Sequence, residues 1–231
     1  MAGIFAPDCP GCWVFGRGQN HALHKARTAI RDWHGWLAIH DKWVKPPTRI
    51  VLEPLEVLRV NYNPAKAGKP EPLFWSEILP VSTEEISHAL RLLKYSREDL
   101  LELCSELDTN ALQWRPHRGP RTIENTLRHI ATVEWWYVTR LEIDLPSDFP
   151  RDVFDLLGYT RSLAERNLRK LSKERRTRIF QPKKDPSPIC NLWTARKVLR
   201  RFVDHERLHM SYIEKTLAQH CQTASSENQS Q

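Results

Sequence analysis

Four long segments in the second part of the chain repeat apolar residues every three or four positions, which is the spacing of one face of an α-helix. Stretches that contain proline or glycine separate them. Amphipathic helices of about twenty residues bury their apolar faces best against one another. The pattern therefore predicts an antiparallel four-helix bundle over residues 81–221, followed by a disordered tail over 222–231. The predicted helices span about 82–107, 122–141, 149–172 and 191–220.

The starts of the first two predicted helices carry capping signals. Ser82 is followed three residues later by Glu85, which is the spacing of a capping box. Thr122 stands directly before the apolar periodicity of the second helix and is a favoured N-cap residue. Both signals place the helix starts independently of the hydrophobic pattern.

The first 60 residues follow a different pattern. A short apolar run over 12–16 ends in glycine and is typical of a strand, and apolar residues at helical spacing follow over 20–43. Residues 49–60 are rich in Val, Leu and Ile and predict another strand. The order predicts a small β-α-β domain over 1–60, which makes the overall fold class α+β. Residues 61–80 contain four prolines and predict a partly extended linker.

Composition and charge set only wide limits. The chain has 231 residues, 40% of them hydrophobic, and nine tryptophans, enough for one large or two small domains. The formal net charge is +7, and residues 166–184 hold nine Lys or Arg against one acidic residue, Glu174. We interpret this stretch as a solvated helix end and loop. A nucleic-acid partner is the less favoured interpretation, because no known nucleic-acid-binding motif accompanies the positive charge.

Targeting signals and cysteine usage predict a cytoplasmic protein. The chain opens without the pattern of a signal peptide, and no apolar run approaches the length of a membrane span. In the cytoplasm the five cysteines are expected to stay reduced. Cys9 and Cys12 form a C-x-x-C pair, which we interpret as structural, because no second pair accompanies it and no helix begins directly after it.

The most informative motif is His-Glu-Arg-Leu-His in the last predicted helix, which runs from His205 through Glu206 to His209. Residues four apart lie on one helix face, so both imidazoles can reach one metal ion. The same letters open the zincin protease motif, with the glutamate as general base. That alternative is disfavoured, because Lys215 stands where a metzincin has its third histidine. Only a short stretch follows the motif, so a third ligand is expected upstream.

His129 is the best upstream candidate for the third ligand. It lies beside the apolar face of the second predicted helix, on the side of Thr126 and Val133. Taken singly, each of the three histidines is better interpreted as a core residue with a hydrogen bond. Two of them at i and i+4, with a third on another inward face, favour a metal. Three imidazoles suit zinc, nickel or iron and leave a fourth position open to water or substrate.

Two sequence stretches carry a family resemblance: Leu-Arg-His-Ile-Ala-x-x-Glu-Trp-Trp-Tyr around His129, and Trp-Thr-Ala-Arg-x-Val-Leu leading to His205 and His209. With them, residues 82–220 resemble the DinB-like family of four-helix bundles, which is related to mycothiol-dependent transferases. The resemblance implies a divalent metal held by these three histidines. In some relatives it implies transfer or isomerisation with a low-molecular-weight thiol. Bundles of this kind often pair, so a homodimer is expected by analogy.

The N-terminal stretch Pro-Asp-Cys-Pro-Gly-Cys-x-x-x-Gly over residues 7–16, followed by a helix with Ala22 and Ala26, resembles the HicB-like family. This resemblance implies a β-α-β domain with a partial RNase H-like layout. The strand that usually precedes Pro-Gly-Cys is expected to be missing or very short here, so the domain is either complete alone or borrows an edge from a second chain. The family is mostly a binding or antitoxin-type module, and the resemblance transfers no catalytic residue.

Two functional hypotheses follow from these observations. The first is a metal-dependent DinB-like protein that acts on a small molecule, as a thiol-dependent transferase or a small hydrolase. The second is a non-enzymatic stress-response or binding protein, in which the metal is structural or vestigial and the HicB-like module recruits a partner.

The first hypothesis needs a proton acceptor, for which Glu206 is a weak candidate. A salt bridge from Glu206 to an arginine on its own helix is the favoured alternative, and the candidates are Arg196, Arg200 and Arg201. A metal-binding histidine also commonly donates its second ring N–H to a carboxylate. Asp204 and Asp99 are the candidates for that role.

Overall fold

The computed structural model describes residues 1–59, 73–116, 119, 121–181 and 192–228. The chain opens with an antiparallel hairpin of β1 (Ala2–Phe5) and β2 (Trp13–Gly16). Ala2 lies opposite Gly16, and Phe5 lies opposite Trp13. Helix α1 (Gln19–His40) follows and buries the predicted apolar face, including Ala22, Ala26 and Trp33.

The N-terminal elements are ordered β-β-α, so the predicted β-α-β order is wrong. The strand expected to be missing or very short is present as β1 and is very short, at four residues. In contrast, residues 49–59 form no strand, and residue 60 lies outside the described residues. Pro54 interrupts this run and offers no backbone donor. Val51, Leu55 and Val57 are each at least 70% exposed, so these side chains gain little burial that would stabilise a strand.

Helices make up most of the remaining described chain. In order they are α2 (Trp75–Ile78), α3 (Thr83–Cys104), α4 (Thr109–Gln113), α5 (Ile123–Thr139), α6 (Val153–Arg169), α7 (Lys173–Thr177) and α8 (Ala195–Asn228). Helices α3, α5, α6 and α8 correspond to the four predicted ones. The capping box is confirmed, because Ser82 Oγ accepts from the Glu85 amide at 3.1 Å and Glu85 Oε2 accepts from the Ser82 amide at 2.8 Å.

The helix ends differ from the predicted ones at two places. α6 begins after Asp152, whose carboxylate accepts from the amides of Phe154 and Asp155, and not at the predicted residue 149. α8 continues to Asn228, so the predicted disordered tail is helical over 222–228, and its last three residues lie outside the described part. None of the described helices combines the length and the apolar character needed to cross a membrane.

The long helices share their apolar faces. α5 packs along α6, α8 packs against α3 and α5, and α3 also contacts α6. Each fully buried leucine contributes about 1.5–3 kcal/mol relative to an exposed one. This packing fixes α5 and α8 side by side, and these are the two helices that carry the three candidate histidines. The core between the helices includes Leu93, Leu100, Ile123, Leu127, Ile130, Leu156, Leu157, Val198, Phe202 and Ile213.

Four charged side chains meet in the middle of this core, one from each long helix. Arg97 of α3 and Arg161 of α6 both contact Glu134 of α5 and Glu206 of α8, and we call these residues the ion quartet. The four N–O distances lie between 2.5 and 3.1 Å. Each side chain is at most 9% exposed. Two positive and two negative charges balance, which makes their burial tolerable.

The two arginines of the ion quartet also bind backbone carbonyls. Arg97 donates to the carbonyl of Leu157 and Arg161 to that of Leu93, both at 2.7 Å. Burial alone would raise the pKa of Glu206, but the cations of Arg161 and Arg97 outweigh it and lower this pKa. Glu206 therefore stays ionised between the two arginines, and the quartet ties four helices together.

The N-terminal hairpin and α1 pack onto the long helices and share one hydrophobic cluster with them. The backbone N–H of Gly11 donates to Asp204 of α8 at 3.0 Å. The indole of Trp36 donates to Asp99 of α3 at 2.6 Å, and His40 lies 2.9 Å from the same carboxylate. The predicted N-terminal domain is thus in direct contact with the helical part.

The described end of the predicted linker is also packed. Leu73 and Glu77 are buried, and Glu77 forms an ion pair with Arg200 of α8 at 2.5 Å. The guanidinium of Arg200 lies over the rings of Phe5 and Phe74, at 4.7 and 5.4 Å from their centroids. Residues 61–72 of the predicted linker lie outside the described residues.

The contact between hairpin and α8 can be tested at Gly11, which has φ +91°. A Cβ there would meet Arg207 Cδ at 2.7 Å and Val203 Cγ1 at 2.8 Å. We expect Gly11→Ala to lower the free energy of unfolding by about 2 kcal/mol or more, because backbone strain and crowding add. Urea denaturation measures this loss.

The matched control is Gly35→Ala in α1, where an added Cβ meets nothing within 4 Å. It should be neutral or stabilise by up to about 1 kcal/mol, since alanine favours helix over glycine. Equal unfolding free energies for the two variants would contradict the close contact at Gly11.

Candidate metal centre

His129 of α5 and His205 and His209 of α8 come together in the structure, and we call them the histidine cluster. One ligand atom from each lies within 4.8 Å of the other two. The Nε2 atoms of His129 and His205 are 3.3 Å apart, and the ring centroids of His205 and His209 are 4.4 Å apart. The sequence prediction that these three side chains converge is therefore correct.

The spacing of the histidine cluster fits one metal ion. Two nitrogens bound tetrahedrally to zinc at about 2.0–2.1 Å lie about 3.3–3.4 Å apart, which is the His129–His205 separation. The upper limit of 4.8 Å for the other pairs is within reach of small side-chain rotations. Imidazole nitrogens are ligands that zinc, nickel and iron accept. The cluster could therefore hold a divalent metal ion.

Neighbouring helices hold the histidine cluster in place. His205 is 8% exposed, whereas His129 and His209 are partly buried and keep some contact with solvent. The ring of Tyr137 on α5 contacts the ring of His205 edge-on, with 5.8 Å between the ring centroids. Rigid packing of this kind preorganises metal ligands.

All three imidazoles have lowered pKa values. Burial lowers the pKa of His205 well below its usual value, and His209, His129, Arg201 and Arg121 lower it further. The pKa of His209 is lowered to about 4, first by burial and then by His129, Arg121 and Arg201. Burial and Arg121 lower the pKa of His129. The imidazoles are therefore neutral at neutral pH, which is the form that binds metal.

These shifts predict that the metal-free protein loses stability in mild acid. A histidine in the unfolded chain takes up a proton near pH 6.5, whereas His209 in the folded chain does so only near pH 4. Between these values the unfolded state binds more protons, so stability falls as the pH falls. The expected slope is about 1.4 kcal/mol per pH unit from His209 alone, and His205 adds to it.

Urea denaturation at pH 7, 6 and 5 with a chelator present measures this slope. The control is a variant with His205→Gln and His209→Gln, in which the other titrating groups are unchanged. Its unfolding free energy should depend less steeply on pH. The same slope in both proteins would show that the two imidazoles are not buried in neutral form.

A small cavity lies between the histidine cluster and the ion quartet. It has room for about one water molecule. It is bordered by His205, by Glu134, Arg161 and Glu206 of the quartet, and by the rings of Tyr137 and Phe202. The site therefore offers a small polar space beside one candidate ligand.

Glu206 lies in the ion quartet and not in the histidine cluster. It pairs with Arg97 at 2.7 Å and Arg161 at 2.9 Å, so the expected pairing with an arginine of its own helix is wrong. Two buried arginines lower the pKa of the Glu206 carboxylate, and this makes Glu206 a weak proton acceptor. This environment argues against the general-base role suggested by the sequence.

Asp204 and Asp99 do not hydrogen-bond the candidate ligands. Asp204 accepts from Gly11 and from Arg200, which donates at 3.2 Å. Asp99 binds Trp36 and His40. The interpretation of these two carboxylates as partners of a metal-bound histidine is therefore wrong, and both instead hold the N-terminal part against the helices.

Cys9 and Cys12 are both buried. Burial raises the pKa of Cys9 to about 11, and Asp8 adds to the effect. Burial, followed by Cys9 and Asp204, raises the pKa of Cys12 to about 12 despite the opposing effect of Arg207. Thiols of this kind stay protonated and inert at neutral pH, in keeping with a structural role.

The sequence interpretation missed Arg97 and Arg161 as structural partners of the site. Their signal was present, because Arg97 follows Leu93 by four residues and precedes Leu100 by three, which places it on the buried stripe. A charged residue on such a stripe indicates a buried pair. The partner cannot be identified without the packing of the helices.

The fold and the site define a helix-rich α+β protein with a three-histidine cluster that could hold a divalent metal. Residues 92–213, more than half of the chain, match the DinB superfamily, and the chain belongs to this family. The family generally binds metal. The comparison gives no support to the HicB-like resemblance of the N-terminal part. No curated protein and no solved structure matches the chain significantly.

Proposed function

We propose that the histidine cluster holds one zinc, nickel or iron ion and that the protein is a metal-dependent enzyme acting through an open coordination position. The observation that carries the proposal is the convergence of three neutral imidazoles from α5 and α8. The four long helices would form the antiparallel four-helix bundle expected for the family. Three protein ligands are the number found in catalytic zinc sites, whereas structural sites use four.

A low-molecular-weight thiol or water is the proposed occupant of the open position. Bound there, a divalent ion would lower the pKa of a coordinated thiol or water. The three imidazoles contribute no negative charge, so the ion would keep its full charge for this purpose. The rings of Tyr137 and Phe202 border the His205 side, and the partial exposure of His129 and His209 would give a small ligand access from the other. Thiol-dependent transfer is the favoured reaction and small-molecule hydrolysis the second.

Cobalt replacement tests the open position. Metal-free protein titrated with Co²⁺ should reach an endpoint at one ion per chain, with the intense visible absorption of tetrahedral cobalt. Addition of 2-mercaptoethanol should then produce a sulfur-to-cobalt charge-transfer band. A cobalt spectrum that thiols and other small ligands leave unchanged would mean that protein groups fill all positions. Such a result would favour a structural metal in a non-enzymatic protein.

A further inference from the structure

The carboxylate of Glu206 is hydrogen-bonded on one oxygen only. All three hydrogen bonds that Arg97 and Arg161 donate to it end on Oε2, at 2.7–2.9 Å. The second oxygen, Oε1, is buried and has no hydrogen-bond partner among the described residues. Glu206 is 2% exposed, so bulk solvent does not satisfy this atom. A buried carboxylate oxygen without a partner is costly, and an internal water molecule commonly supplies the missing hydrogen bond.

The hydroxyl of Ser96 on α3 is the alternative partner for Oε1. It helps to lower the pKa of Glu206, yet the two groups form no hydrogen bond, and Ser96 Oγ is itself buried without a partner in the described chain. Ser96 also does not border the cavity between the histidine cluster and the ion quartet, whereas Glu206 does. Ser96 therefore leaves Oε1 available to a molecule inside the cavity.

His205 offers a proton donor to the same cavity. Its Nε2 lies 3.3 Å from the Nε2 of His129, so Nε2 is the nitrogen that faces the proposed metal. A neutral imidazole that offers Nε2 to a metal carries its proton on Nδ1. Nδ1 has no hydrogen-bond partner in the described part of the chain, and His205 borders the cavity beside Glu206. Metal-binding histidines almost always donate this N–H to a carboxylate, a carbonyl or a water molecule.

We infer that one water molecule occupies the cavity and joins the Nδ1–H of His205 to Oε1 of Glu206. The cavity has room for about one water molecule, and the two side chains supply it with one donor and one acceptor. Glu206 is then a positioning residue that acts on a metal ligand through water. It stabilises the tautomer in which Nε2 of His205 is available to the metal. The inference rests on the proposed function for the metal, but the water and the tautomer belong to the metal-free protein as well.

Metal-free wild-type protein tests the bridge directly. A high-resolution crystal structure should show one water within about 2.5–3.2 Å of both Glu206 Oε1 and His205 Nδ1. Long-range proton–nitrogen NMR spectra of the same protein should show His205 protonated on Nδ1. An empty cavity, a water that reaches only one of the two atoms, or a His205 protonated on Nε2 would overturn the inference, whether or not the protein binds metal.

The variant Glu206→Gln alters the bridge with little change in size. The arginines require an acceptor, so the amide oxygen takes the place of Oε2 and the NH2 group takes the place of Oε1. The water then accepts a hydrogen bond from this side chain and turns a proton of its own toward Nδ1. His205 should shift to the tautomer protonated on Nε2. The affinity for zinc should fall about 10–100-fold, as for other changes in the second coordination sphere.

The matched control is Glu134→Gln, because it removes the same charge from the same ion quartet. Both oxygens of Glu134 already accept hydrogen bonds from arginines, so this variant should keep the His205 tautomer and the wild-type affinity for zinc. Equal changes in both variants would trace the effect to the charge of the quartet and overturn the bridge. If wild-type protein binds no zinc, the proposed function fails, and the tautomer of metal-free His205 still decides for or against the bridge.

Discussion

Replacing Arg97 or Glu206 singly by methionine is expected to lower the free energy of unfolding by about 3–5 kcal/mol. Either change leaves buried charges of the ion quartet without compensation, because the side chains are at most 9% exposed. For a domain whose total stability is about 5–15 kcal/mol, this is a large fraction. Chemical denaturation of the single variants measures the loss.

The double variant Arg97→Met/Glu206→Met distinguishes a charge effect from a packing effect. It removes one charge of each sign and leaves Glu134 paired with Arg161 at 2.5 Å. Its loss of stability should therefore be smaller than the sum of the two single losses, as a thermodynamic cycle would show. Single variants that lose less than about 1 kcal/mol would contradict a desolvated quartet.

Replacing any one member of the histidine cluster by alanine is expected to abolish stoichiometric metal binding. Changing a partner in the second coordination sphere already lowers metal affinity about 10–100-fold, and loss of one of only three ligands costs more. Competition with a chelating indicator measures the affinity of His129→Ala, His205→Ala and His209→Ala. The control is His24→Ala, an exposed histidine of α1.

The three ligand variants should fail alike, because each imidazole contributes one of three bonds. The control should bind as wild type does. Wild-type metal affinity in His129→Ala would contradict the site most strongly. The ligands would then lie on α8 alone, and α5 would contribute none.

The long helices could be predicted because their evidence is local. The apolar period of α3 and the capping pair of Ser82 and Glu85 lie within one segment and need no knowledge of the rest of the fold. The predicted start of α6 lies too early in the chain, because Asp152 is its N-cap. Helix ends depend on one or two side chains and are therefore harder to place.

The three candidate ligands could also be predicted, because the chemistry restricts the choice. His205 and His209 share a helix face by their spacing, and His129 lies near an inward stripe of another helix. Their convergence depends on α5 and α8 lying side by side, which the family resemblance implied and the structure shows.

What could not be predicted depends on contacts between distant segments. Glu206 finds Arg97 and Arg161, which are 109 and 45 residues away, and not an arginine of its own helix. β1 is only four residues long and gains its partner from the hairpin turn, so its local pattern is weak. Residues 49–59 have strand-like composition, yet within the described residues no strand pairs with them and several of their side chains stay exposed.

X-ray absorption spectroscopy of zinc-loaded protein tests the central claim most directly, because it reports the ligand atoms and their distances. We expect one ion per chain with three imidazole nitrogens at about 2.0–2.1 Å and a fourth light-atom ligand from solvent. Sulfur in the coordination shell of protein prepared without thiols, or fewer than two imidazoles per ion, would contradict a metal centre made of His129, His205 and His209.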